Sequence, residues 1–600
     1  SNAVVYALCG NSATKMAEFY LSTDTASVFT LQTSGWYSSS DQDRNDGGGR
    51  IAVSPADPLR VYAYLIGEAK ANDYGFIGVF RSNDGGVSWT LPNGPAGGPY
   101  TSAHPNLAYG TTDWTYHQGY YNCAIIADKN NANKILIGGL NCWRSNDGGA
   151  TFSSVAGYVG GPLNMHVDMQ DFRETATDSW ITTDGGIYHS SDFFQTQPLV
   201  KNNGIRGSEY WGYGQGWNED FSVGGLYHNG VISHFENYGS GNALQLGGAE
   251  PASGYANPGP GRKVMSSEVG GRMLPDQIGD AISSFSVSMF PNESYWAAES
   301  SEMEWAPYCY NTLYLGRENK LYRSDDNGIS FSQVYAFGTN TASRVQHIEI
   351  SRSNPHVMYV SQRPASGSTG KIFKTIDGGI TWTQLTIPAG NSSRILLSLS
   401  PVNENLLWIA YPSGANGSKV FFTENSGASW NNVTTSELDN EEIRAIIYVP
   451  NANESVYLFT YYNVFYWNDS MGLWAADAAG LPGVVNTQSA KPFYRDGKIR
   501  LATYGKGVWE KTFEIHPDMP VAQITVDKLS AKPFCEADSF YFDDYSILNH
   551  AGASWSWTFE NGNPATSSLR NPVVAFPGPG QYQVTLMVTD SSGSSDCDTL

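Results

Sequence analysis

Apolar and polar positions alternate in short bursts along this chain of 600 residues. Apolar, β-branched runs such as Lys134–Leu140 (KILIGGL) and Val357–Val360 read as strands, and each leads into a polar turn and then another short strand. The turn has a recurrent form, S-x-D-x-G-x-S/T-W/F, first seen in Arg81–Thr90 (RSNDGGVSWT). It recurs intact at Ser145–Phe152 and Ser324–Phe331 and nearly intact at Thr375–Trp382. Thr423–Trp430 has Asn425 in place of the acid, Thr182–His189 (TTDGGIYH) lacks the aromatic, and Ser22–Phe29 lacks the glycine. The positions 84, 147, 184, 326, 377 and 425 leave one long gap, between Asp184 and Asp326, where units without the signature are expected.

An Asp or Asn followed by Gly marks a tight turn: the carboxylate accepts hydrogen bonds from the turn's own amides, and Gly takes positive φ. With roughly four strands per ~40–50 residues, the expected unit is a propeller blade. The motif resembles the Asp-box (BNR) repeat of sialidases, sortilin-type receptors and the two-propeller hydrolases that cut xyloglucan. The order HQGYYN, an Asp-box, NMHVDMQDF and TTDGGIY over His117–Asp192 resembles secreted bacterial Asp-box propeller proteins related to those hydrolases. The resemblance implies an all-β fold with about ten blades in one ring, or two tandem propellers. Family members continue with a Gln-Asp-Asn-Gly stretch; here GGLYHNG (Gly224–Gly230) keeps only Asn229 and Gly230 of it, and GGAEPASGY (Gly247–Tyr255) replaces a Gly-Asp-Gly.

At the C-terminal end the pattern changes. Trp555–Asp596 resembles a polycystic-kidney-disease-type (PKD) domain, with its Trp-x-Phe strand, NP-V-F turn and PGQYQVTLMVTD segment. Alternation at Tyr582, Val584, Leu586 and Val588 suits one buried face of a small Ig-like β-sandwich. The expected organisation is a propeller region at 1–514, a linker at 515–520 and the sandwich at 521–600.

Composition narrows the function classes. The chain has 64 glycines, 13% aromatic and 15% charged residues and a formal net charge of -22, which suits a turn-rich β protein and argues against nucleic acid or an anionic membrane as partner. No apolar run is long enough to span a bilayer. Ser1-Asn2-Ala3 reads as an expression scar, so a secreted or cell-surface location is an expectation from the resemblance alone. Of the six cysteines, Cys123–Cys142 and Cys535–Cys597 are expected as disulfides, while Cys9 and Cys309 either pair or remain thiols.

Several segments carry candidate chemistry. Glu209–Phe221 (EYWGYGQGWNEDF) offers Trp211, Tyr213 and Trp217 as a sugar-stacking platform beside the acids Glu219 and Asp220; the alternative is a blade strand with its aromatics in the core. His166, Asp168 and Gln170 alternate as on a strand, pointing to one face, and either bind a sugar hydroxyl or a cation or join blades by hydrogen bonds. Glycoside hydrolysis needs two carboxylates about 5–9.5 Å apart. The candidates are Asp168, Glu219, Asp220, Glu250 and Glu268, and Asn229 is a further ligand-binding candidate. No metal site is assigned and no cofactor is expected, calcium being the one ion considered: for the loop holding Asp41, Asp43, Asn45 and Asp46, and for the acids Glu293, Glu299, Glu302 and Glu304, read mainly as a solvated loop. A sialidase would need a Phe/Tyr-Arg-Ile-Pro strand, which is absent, and no G-x-S-x-G, H-E-x-x-H or phosphate loop is present. Two functions follow from the resemblance: a carbohydrate-active, glycoside-hydrolase-like propeller that binds a polysaccharide or cell-surface glycan, or a non-catalytic, sortilin-like propeller for a protein or peptide ligand.

Overall fold

The computed structural model describes residues 3–14, 16–36, 44–68, 76–92, 118–158, 160–248, 250–294, 299–367, 369–450, 455–513, 520–530 and 538–600, with side chains of 44–47 and 68 excepted. Of the expected calcium loop, Asp41 and Asp43 lie outside these residues, as do Cys535 and, apart from Pro520, the expected linker. Two compact units divide the chain, Ser1–Ile205 and Arg206–Leu600.

Among the described residues of the first unit, four antiparallel sheets follow one another, opening with Val5–Gly10, Arg44–Ser54, Ala124–Ala127 and Met169–Glu174. Apolar side chains fill each gap between neighbouring sheets. Phe19, Trp36, Phe80 and Trp89 pack between the first two, and Tyr64, Phe76, Ile125 and Ile137 between the second and third.

The second unit contains seven further sheets, whose first strands are Gly214–Gln215, Tyr255–Ala256, Met303–Trp305, Arg344–Ile350, Leu396–Leu399, Ile443–Val449 and Thr487–Phe493. They close a ring. The last sheet meets the first through Tyr210, Tyr213, Leu226 and Ala502, through a 2.7 Å hydrogen bond from Gln215 Nε2 to Pro492 O, and through two 2.8 Å bonds from Arg500 to Asp220. This ring fits the smaller-propeller alternative rather than ten blades in one circle. The same unit ends in a β-sandwich of two sheets, Ile524–Val526, Ser539–Asp544 and Val573–Ala575 against Ser554–Phe559, Thr566–Ser567, Val584–Thr589 and Ser595–Thr599. Trp557, Phe559, Val584, Leu586 and Val588 form its core, as the alternation requires.

Past the first sheet, where the Ser22 copy follows the second described strand, each Asp-box follows the third strand of its sheet and is held by its own hydrogen bonds. At the first complete copy, Ser82 Oγ donates to Asp84 Oδ1 (2.7 Å) and accepts from Gly86 N (2.8 Å), while Asp84 Oδ1 accepts from Val87 N (3.1 Å) and Ser88 N (2.9 Å). These donors, led by the Ser88 hydroxyl, pull the Asp84 carboxyl down to about 2. The degenerate copy at Ser22 keeps the geometry with Thr25 and Ala26 at positive φ in place of glycine. The fourth sheet departs from expectation. Asp184 lies in a hairpin turn between Ser179–Thr183 and Gly186–Ser190 and accepts bonds from Tyr121 and Gln170; the box bonding pattern belongs instead to Ser190, Asp192 and Thr196, with Phe193 and Phe194 at positive φ.

The expected Cys123–Cys142 disulfide does not form. Cys123 faces the core shared with the second sheet and Cys142 the core shared with the fourth, so the two thiols lie on opposite faces of the third sheet and both are buried and free. Cys9 is an exposed thiol and Cys309 a buried one, whose sulfur lies 3.6 Å from Asp527 O. Cys597 is also free among the described residues.

Candidate functional site at the mouth of the seven-sheet ring

In an antiparallel sheet the connections after the first and third strands leave one edge, and those after the second and fourth leave the other. The Asp-boxes mark the first edge. The sandwich docks there, because its partners in the ring are Trp217 and Asn218, Cys309–Asn311, Arg352 and Arg495, all in connections after first strands. A channel cavity of about 430 Å³ runs inside the ring, walled by the first strands of all seven sheets. Tyr545 and Ile547 of the sandwich line its box-face end.

This docking assigns the aromatic-acid stretch to structure. Trp211 and Tyr213 are buried, and Trp217 packs on Tyr494 (5.5 Å) and Tyr545 (4.5 Å) while its indole N–H donates to Ser546 O (3.0 Å). The Arg352 guanidinium stacks 4.7 Å from Trp217 and 4.2 Å from Tyr545. All three residues also line the wall of the channel, Trp211 and Tyr213 buried and Trp217 partly so. Glu219 is paired with Arg262 (2.8 Å), and Asp220 is held bidentately by Arg500. Both carboxylates are committed to ion pairs rather than free for chemistry.

In the first unit, Asp168 is buried at positive φ and accepts a bond from Asn122 Nδ2 (2.8 Å). That kink precedes the strand Met169–Glu174, so the expected alternation of His166, Asp168 and Gln170 along one strand does not hold. His166 Nδ1 lies 3.0 Å from Val167 O, and Gln170 donates to Asp184. Asn229 sits in the turn between Phe221–Leu226 and Gly230–Phe235, donating to Tyr227 O (3.1 Å).

The ring's other edge is built from connections after second and fourth strands, and it carries a polar cleft of about 680 Å³. Its charged lining is Glu250, Glu268, Glu293 and Glu299 with Arg344 and Arg363. The Glu250 amide donates to Glu268 Oε2 (3.0 Å), His228 Nδ1 lies 3.4 Å from Glu250 Oε1, and Glu293 Oε2 accepts from Ala252 N (3.2 Å) and Ser267 Oγ (2.9 Å). Two of the five carboxylate candidates, Glu250 and Glu268, are thus brought into one cleft. The arginines were not anticipated from the sequence.

Glu302 and Glu304, expected in a solvated loop, instead flank the channel beside His347 and Glu349. Leu397 N donates to His347 Nδ1 (2.8 Å), so the neutral ring carries its proton on Nε2, which faces Glu302 Oε2 at 3.4 Å. Burial raises the carboxyls of Glu302, Glu304 and Glu349, and neighbouring carboxylates add to the rise for Glu304 and Glu349; Lys491 opposes it. Under the sandwich, burial pushes Asp543 up to about 7, against the pull of Arg570. Burial also lowers His347 and His550 to about 4.

These shifts set the pH dependence of stability. Near neutral pH the native state keeps protons on carboxyls that the unfolded chain has lost, so acidification from about pH 8 to about 6.5 is expected to raise the melting temperature. Below about 6.5 the unfolded chain gains protons on His347 and His550 that the native state refuses, and the rise should flatten. Calorimetry across that range checks the sign, and Glu302→Gln with Glu304→Gln should weaken the slope; stability that grows from pH 6.5 to 8 would contradict it.

Residues 519–600 match the family described as PKD domain, and residues 319–434 match the family described as sortilin, neurotensin receptor 3. A xyloglucanase from Hypocrea jecorina is 28% identical over 128 residues, a stretch that spans 21% of this chain and only 14% of that protein. Among solved structures, a GH74 xyloglucanase from Xanthomonas campestris is 14% identical with 90% of this chain and 88% of that one covered (TM-score 0.24). The extracellular domain of a putative hybrid two component system from B. thetaiotaomicron is 11% identical, with 98% and 78% covered (TM-score 0.34). Superpositions at that level carry nothing about ligand or blade number. The chain is similar to propeller proteins of the sortilin and xyloglucanase kinds and ends in a PKD domain.

Proposed function

We propose that this protein is an extracellular or cell-surface carbohydrate-active propeller that binds a polysaccharide at the box-free mouth of the seven-sheet ring. The observation that carries the reading is the cleft in which Glu250, Glu268 and Glu293 converge on connections free of Asp-boxes, at the edge opposite the docked sandwich. Carboxylates hydrogen-bond sugar hydroxyls well, and two in one cleft are the minimum for acid-assisted glycoside cleavage. Glu250 and Glu268 are the pair assigned that role. The stretch shared with a xyloglucanase supports the same reading.

A second reading, a non-catalytic propeller for a protein or peptide ligand, is favoured by the sortilin match, which falls within the ring itself at 319–434. A glycan array and a reducing-sugar assay on plant and microbial polysaccharides separate the two. Binding is expected to fall at least about tenfold in Glu250→Gln/Glu268→Gln, the scale of one lost charged hydrogen bond, and any sugar release should vanish. Absence of binding to every polymer would leave the second reading.

A further inference from the structure

The fourth, fifth and sixth sheets of the ring share a feature at the start of their first strands. Arg344 opens Arg344–Ile350, Arg394 stands just ahead of Leu396–Leu399, and Arg444 is the second residue of Ile443–Val449. Similar positions in consecutive blades place the three guanidinium groups on one arc at the box-free mouth, and Arg363, the last residue of the strand Met358–Arg363, joins them.

Two carboxylates lace this arc together. Glu299 lies 3.3 Å from Arg363 and 3.7 Å from Arg394, and Glu442 lies 3.5 Å from Arg394 and 3.2 Å from Arg444. Three arginines therefore share two acids, and with Arg344 the arc carries four guanidinium groups against two carboxylates, on a chain of net charge -22. Among the described residues Arg344 makes no ion pair, while Arg363 meets Glu299, and both arginines line the cleft. Guanidinium groups present donors in a planar fork that matches a carboxylate bidentately, and such charge-assisted bonds are about twice as strong as neutral ones.

We propose that Arg344 and Arg363 bind the carboxylates of uronic-acid residues in a polysaccharide, making an acidic glycan the preferred ligand of the cleft. This rests on the preceding reading of the mouth as a glycan site. The acidic lining, Glu250, Glu268 and Glu293, repels a carboxylate and accepts hydroxyl donors, so it orients the chain with its uronates toward the arginines. Bulk electrostatics would oppose an anionic polymer on this acidic protein, so the preference must come from the local pairs.

The test is calorimetric titration of the full chain with polygalacturonate, with the same polymer after chemical reduction of its carboxyls, and with neutral xyloglucan. Polygalacturonate is expected to bind roughly tenfold or more tighter than its reduced form, the scale of one bidentate charge pair. Arg344→Ala and Arg363→Ala should each shrink that ratio and together abolish it, Arg344→Lys should keep part of it, and circular dichroism checks that each variant is folded. Equal affinity for native and reduced polymer, or a preference that survives the double variant, overturns the uronate assignment while xyloglucan binding upholds the glycan reading. Failure to bind all three polymers removes both.

Discussion

Trp217→Ala is expected to undock the C-terminal sandwich from the ring. The indole is clamped between Tyr494 and Tyr545, covered by Arg352 and bonded to Ser546 O, so truncation empties the centre of the docking surface and strands a guanidinium. Trp→Ala at a packed site costs about 3–5 kcal/mol, and anchors of this kind dominate the interfaces that contain them. Calorimetry should show one cooperative transition of the second unit separating into two, with the sandwich melting at its own temperature. Trp217→Phe should be intermediate, since it keeps the ring contacts and loses the N–H. Polysaccharide binding should be unchanged in both, because the cleft lies at the opposite edge of the sheets. An unaltered melting profile would mean that the docking rests elsewhere.

The second large effect is expected from Asp220→Ala. Arg500 is buried, stacks 4.0 Å over Phe493 and divides its donors between Asp220 and Glu510, where the last sheet of the ring meets the first. Removing one partner of a buried pair leaves an uncompensated charge, at about 3–5 kcal/mol; Glu510 remains, so about 3 kcal/mol is the expectation here. The denaturant midpoint should fall accordingly. Asp220→Ala combined with Arg500→Met should recover much of the loss, because an apolar replacement no longer needs a partner. A change under about 0.5 kcal/mol in the single variant, the range of ordinary surface substitutions, would show that the pair does not hold the ring closed.

What was legible in the sequence was what is local. The Asp-box is written in about eight residues because its bonds run between positions two and four apart, as in Ser82, Asp84 and Ser88. The copy at Ser190, Asp192 and Thr196 was missed because Phe193 and Phe194 occupy the glycine positions, yet the hydroxyl four residues after the acid, present also at Thr151, Ser330 and Thr381, could have found it. The stretch Glu209–Phe221 is ambiguous for the converse reason. Aromatics beside acids describe a sugar platform and an interdomain anchor equally well, and what decides between them is Tyr545 and Ser546, more than 300 positions away. Glu302 and Glu304 read as solvated because four acids in twelve residues suggest it; the strand Met303–Trp305, which holds Glu304 and follows Glu302, sets both beside the channel. The arginines at 344, 394 and 444 were visible as a repeat but fell outside the motif being followed.

The docked sandwich has a topological consequence. With Tyr545 and Ile547 set into its box-face end, the central passage is a cul-de-sac rather than a tunnel. A polymer cannot be drawn through the ring hand over hand; it must lie across the open mouth or enter and leave by the same door. Any ligand that is long must therefore be gripped at one stretch along its side, with both of its ends left in solvent.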